Sequence, residues 1–168
     1  MVDDDAGQSR LFDKVEYVRD PTLAVQSSEL KLGLEAWNGL RGDRKMPAPK
    51  DIDALLLPRL ILPYVSLLEV EWNPGIRFRW RLIGTHVTTM LNRDMTGRYW
   101  DEIYDVQTAE RLGFGPLWVI ENQLPLRSVG NAFFVDMNIK CVESLDMPLS
   151  SDGKLVDRLF CMTVFAQD

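Results

Sequence analysis

The chain has 168 residues, 46% hydrophobic and 26% charged, with a formal net charge of -6. Those proportions belong to an ordinary globular protein with one domain and a sizeable core. They argue against nucleic acid as a partner, because phosphate binding needs a strongly basic face.

No run approaches the ~20 apolar residues that span a bilayer. The acidic start "MVDDDAGQSR" is the reverse of a secretory leader's basic region, so the expected location is cytoplasmic. Cys141 and Cys161 form no CxxC pair, and each sits in an apolar run, as a small buried hydrophobe does.

Residues 1–24 show little periodicity and read as an N-terminal arm, with a short ordered piece around Leu11–Val18. Residues 25–45 hold an amphipathic helix: Ser27 and Ser28 are N-cap candidates, Leu30, Leu34, Trp37 and Leu40 form the stripe, and Gly42 stops it. Residues 46–168 form the main domain. Its opening stretch, with prolines at 47, 49, 58 and 63, leaves room for one short helical turn at Ile52–Leu57.

"YVSLLEVEW" and "IRFRWRLIG" both alternate, and Asn73-Pro74-Gly75 between them is turn chemistry. Opposite residues of an antiparallel pair point to the same side. A loop of odd length is the one that sets Glu71 against Arg77, Val70 against Phe78 and Glu69 against Arg79. The arginine strip is then one side of a Glu/Arg ladder, and Ile76, Phe78, Trp80 and Leu82 share the inner face. Val65 and Leu67 lie on the ladder's face and need a cover, which the Leu30/Trp37 helix supplies.

"THVTTMLNRDMTGRYWDEI" predicts short helical turns broken at "NRDMTGR", and "DVQTAERLGFGPLWVIENQ" a helix split by Gly113, Gly115 and Pro116. Three strands close the chain: "LPLRSVGNAFFVD", "MNIKCVESLDMPLS" and "LVDRLFCMTVFAQD". The last is apolar from Leu159 to Ala166, which predicts burial on both faces and a central place.

The words "AWNGLRGDRKMPAPKDID", "LLEVEWNPGIRFRWRLIGTHV", "RDMTGRYWDE" and "MPLSSDGKLVDRLF" resemble the PAS domain superfamily, in a short single-domain family typical of alphaproteobacteria. The resemblance covers roughly residues 30–166. It implies an α+β fold: a five-stranded antiparallel sheet in the order 2-1-5-4-3, a helical belt on one face and the N-terminal helix on the other. It also implies a sensory or regulatory module for signal transduction rather than an enzyme, acting through protein contacts, with or without a small apolar ligand in the sheet–belt cavity.

The expected pocket residues are Phe78, Trp80, Tyr99, Trp100, Trp118, Phe134 and Met162, because apolar walls with few polar groups suit a small molecule. The expected interaction surface is Trp37, Val65, Leu67, Arg77 and Arg79, shared with a regulatory partner or within a homodimer. The cofactor is unknown; neither cysteine lies in a flavin-reactive helix, His86 stands at a strand exit rather than on a haem-binding helix, and no zinc spacing occurs. The competing reading is a small isomerase or dehydratase that uses His86 or the carboxylates Asp94, Asp101, Glu102 and Asp105.

Overall fold

The computed structural model describes residues 17–134 and 137–167, excepting the side chains of 131–141, 166 and 167. One antiparallel sheet runs in the order β1-β4-β5-β6-β2-β3. Its strands are β1 (Tyr17–Asp20), β2 (Val65–Glu71), β3 (Arg77–Ile83), β4 (Leu126–Phe134), β5 (Met137–Leu149) and β6 (Arg158–Gln167). The five expected strands stand in the expected order, with β6 between β5 and β2. The correction is a sixth: Tyr17–Asp20 of the arm pairs with Gly130–Arg127 of β4.

Helix α1 (Ser28–Arg41) starts where Ser27 Oγ accepts the Leu30 amide, with Glu29 in the first turn, and ends at Gly42 with φ 56°. It covers the β5–β6 outer face. Gly33 packs so tightly on β6 that a Cβ there would lie 1.9 Å from Met162 Sδ. Trp37 is buried, and its Nε1 donates to the Pro148 carbonyl at 3.0 Å. Each apolar side chain withdrawn from water here contributes ~1.5–3 kcal/mol.

The other face carries the belt: α2 (Thr85–Leu91), α3 (Trp100–Ile103), α4 (Val106–Leu112) and α5 (Phe114–Asn122). Asp105 caps α4 by accepting the Thr108 amide at 2.7 Å, and Gly113 separates α4 from α5. The connector before β2 departs from expectation. Its 3-10 turns are Pro49–Asp51 and Arg59–Tyr64, on either side of Ile52–Leu57. Pro49 opens the first and Pro58 precedes the second, where a missing N–H costs nothing.

The hairpin register is the expected one, with Glu71, Val70 and Glu69 opposite Arg77, Phe78 and Arg79. A bulge then changes the faces: Leu68 pairs with Trp80 but Leu67 with Leu82, so Arg81 is the extra residue. Leu82 therefore leaves the inner face and is exposed on the outer one.

The ladder is re-partnered too. Glu69 holds Arg79, with Nε at 2.7 Å, and Arg158 at 3.0 Å. Arg77 instead grips Asp101 at 2.6 and 2.9 Å, and its guanidinium lies 3.5 Å from the centre of the Tyr99 ring. Glu71 accepts the Tyr99 hydroxyl at 2.7 Å.

A second polar cluster pins the arm. Arg127 donates to Asp20 at 3.0 Å and to Glu143 at 2.7 Å. Buried Glu143 also accepts the amides of Gln26 and Ser27 at 2.8 and 2.9 Å. These contacts hold its carboxyl below the ordinary range against the opposing effect of burial. One carboxylate thus ties β5 to β4 and to the entry of α1.

Candidate functional site

Side chains alternate along a strand, so β6 turns Cys161, Thr163 and Phe165 to the belt side while Met162 meets α1. Between that sheet face and the belt lies a cavity of about 330 Å³. Its wall is aromatic: Trp80 and Trp100 have ring centroids 5.5 Å apart, and Tyr104 stands edge-on to Trp100 at 6.1 Å. The Tyr104 hydroxyl accepts from Trp80 Nε1 at 3.3 Å and donates to Met95 Sδ at 3.1 Å. Burial raises its pKa above that of a free phenol.

The floor is polar. Ser66, Ser128, Ser144, Asp146, Cys161 and Thr163 project from four strands into the cavity. Asp146 is buried, and burial pushes its carboxyl up to about 6, with a hydrogen bond from the Cys161 thiol opposing the shift. Burial, and the carboxyl beside it, likewise hold the thiol well above its ordinary value. Gly115 of α5 covers the carboxyl so closely that a Cβ there would lie 2.3 Å from Asp146 Oδ2 and 3.6 Å from Ser128 Oγ.

Among the described residues, two buried polar atoms at this cavity have no hydrogen-bond partner: Ser128 Oγ and Trp100 Nε1. Tyr17 closes the same end. Its phenol is raised by burial and by Asp146. The neighbouring Arg19 clamps α5 by donating to the Phe114 carbonyl at 2.7 Å and stacking on its ring at 3.5 Å.

Of the residues expected in the pocket, Trp80 and Trp100 line it. Phe78 is buried behind Trp100, with centroids 4.6 Å apart, and half-buried Trp118 packs on the core from α5 without lining the cavity. Met162 must be corrected: as the neighbour of Cys161 it faces α1. Tyr99 is corrected for the same reason. It bridges to Arg79 as an isolated strand residue, so Tyr99 points outward to Glu71 while Trp100 points inward. The Phe134 side chain, like that of Cys141, lies outside the described residues.

The interaction surface also divides. Trp37 and Val65 are buried by their own chain, so neither is available to a partner, whereas Leu67, Arg77 and Arg79 retain exposure.

The acidic set does not converge. Asp94 closes a turn on Thr96 at 3.0 Å, Asp101 holds Arg77, Glu102 lies 3.6 Å from Arg98, and Asp105 caps α4. His86 packs on Tyr64 at 4.5 Å, and its Nε2 accepts the Phe165 amide at 3.2 Å. Burial lowers its pKa, so the neutral ring accepts at Nε2 and carries its proton on Nδ1.

The floor was missed in the sequence, although it left a signal. Ser144 and Asp146, and Cys161 and Thr163, each sit two apart in their strands, and that spacing aims both members of a pair to one face.

The sequence model of the PAS domain family matches residues 25–162. The chain belongs to the PAS domain family. The match takes in α1, the belt and the sheet from β2 into β6. No curated protein and no solved structure matches the chain. Among the described residues no helix of this PAS domain is long and apolar enough to cross a membrane.

Proposed function

We propose that this PAS domain is a non-enzymatic regulatory module of the cytoplasm, which senses a small molecule in the sheet–belt cavity and acts through protein contacts. The observation that carries the reading is the cavity of about 330 Å³, with an aromatic wall on one side and a polar floor on the other. That combination of apolar area and a few convergent polar groups suits a small ligand.

The competing isomerase or dehydratase reading has less to support it. Asp94, Asp101 and Glu102 are exposed and engaged away from the cavity, Asp105 lines the cavity but is engaged as the cap of α4, and His86 is spent on the Phe165 amide. DNA binding through the arginine strip is opposed by the commitment of Arg79 to Glu69 and of Arg77 to Asp101. For a homodimer or a protein partner, one surface left open is the outer side of β2–β3, with Leu67, Leu82, Arg77 and Arg79.

Native mass spectrometry of the full chain, with a pull-down from its host, tests the proposal. The expected result is a small molecule retained under gentle ionisation, or a protein captured differently with and without that molecule. Finding neither would overturn it.

A further inference from the structure

The cavity floor specifies more than shape. Asp146 offers a buried acceptor that takes a hydrogen bond from a weakly donating thiol. Ser128 Oγ has no partner and lies with Asp146 Oδ2 within 4 Å of the same point at Gly115. Buried polar groups are ordinarily satisfied, and a buried carboxylate without a cation is costly.

The wall complements this. Trp80, Trp100 and Tyr104 line the cavity with ring faces and edges on which an apolar body can rest. Of the cavity's described cations, Arg111 bears on Asp105 and Arg93 on Tyr104, both in the same lining, and neither is among the influences on Asp146.

Building on the cavity reading above, we infer that the ligand is a small arylalkyl-type amine in its ammonium form. Its N–H groups donate to Asp146 and Ser128, and its apolar body rests on Trp80, Trp100 and Tyr104. A compact ammonium has three donors for these oxygens, whereas a carboxylate in the same place would meet Asp146 as a like charge.

Titration of the full chain with 2-phenylethylamine, 2-phenylethanol and phenylacetate, followed by calorimetry and by the fluorescence of the lining tryptophans, tests this directly. The amine is expected to bind at least 10-fold more tightly than either of the others. Asp146→Asn, checked for an intact melting transition, is expected to abolish that preference while leaving the alcohol's affinity within about 3-fold. Should that variant not fold, Ser128→Ala is expected to weaken the amine alone.

Equal or tighter binding of the alcohol or the carboxylate overturns the amine assignment and leaves the cavity reading standing. So does an amine preference that survives every folded variant. If none of the three binds and nothing co-purifies, both fall.

Discussion

A carboxyl under an apolar lid holds its proton more firmly than one in water, and at Asp146 the difference runs from 3.8 to about 6. Between those values the folded chain keeps a proton that the unfolded chain has released, so folding stability falls as pH rises through this window. The full excursion amounts to about 3 kcal/mol. His86 has the opposite slope, since burial lowers its pKa and its contribution is lost as pH drops. The informative quantity is therefore the difference between wild type and Asp146→Asn in urea unfolding. It should move in the variant's favour by roughly 3 kcal/mol from pH 4 to pH 7 and then level off; a flat difference would show that the carboxyl is not shifted. None of this was legible in the sequence. "ESLDM" reads as an exposed polar alternation, and only the sheet order and the belt reveal that both of its faces are covered.

At the scale of elements, close backbone approaches set what can be changed. A Cβ at Gly84 would lie 2.3 Å from the Pro63 carbonyl oxygen and 2.7 Å from that of Val65, and neither can swing aside. Gly84→Ala should cost about 2–3 kcal/mol in urea unfolding, by overpacking. Gly33→Ala meets the flexible thioether of Met162 instead and should cost less, about 1 kcal/mol. The reverse order would mean that α1 is held more rigidly than the 63–65 corner. Trp37→Phe, which loses the bond to Pro148, should cost about 1 kcal/mol, and Trp37→Asp should unfold the chain rather than separate subunits. The hairpin register was legible because two alternating strands agree at only one loop parity. The Arg81 bulge was not, since one extra residue leaves no mark on an alternating pattern. The four-residue β1 was only partly legible: of the ordered piece expected at Leu11–Val18, residues 17–18 fall in β1 and 11–16 lie outside the described residues, while its partners, the β4 backbone and Arg127, lie more than a hundred residues away in sequence.

For the molecule as a whole, α1 decides which surfaces remain. Because it seals the outer side of β5 and β6, a second copy or a regulatory partner has the β2–β3 side to use. The bulge there places Leu82 beside Leu67 as an outward apolar pair, flanked by the arginines. Leu82→Glu should weaken any self-association at least 10-fold in sedimentation velocity, while Trp37→Phe should leave it unchanged. Dimers indifferent to Leu82→Glu would exclude this side as the interface. The sheet order and the placing of both helical layers were readable from the order of elements, together with the family words. Phe78, Trp80 and Trp100 do face inward as expected, but Tyr99 does not, because an isolated bridge to Arg79 sets its side.

That isolated bridge has a mechanical consequence. Tyr99 and Trp100 are neighbours on one backbone, yet one ring lies under a guanidinium on the outer surface and the other forms the wall of the interior space. The segment is anchored by the bridge to Arg79 at the sheet edge. On the function proposed above, a guest that displaced the indole inside would tilt the phenol outside and strain its bond to Glu71. Occupancy of the interior would then be felt on the outer surface one residue away, with no need for a moving domain.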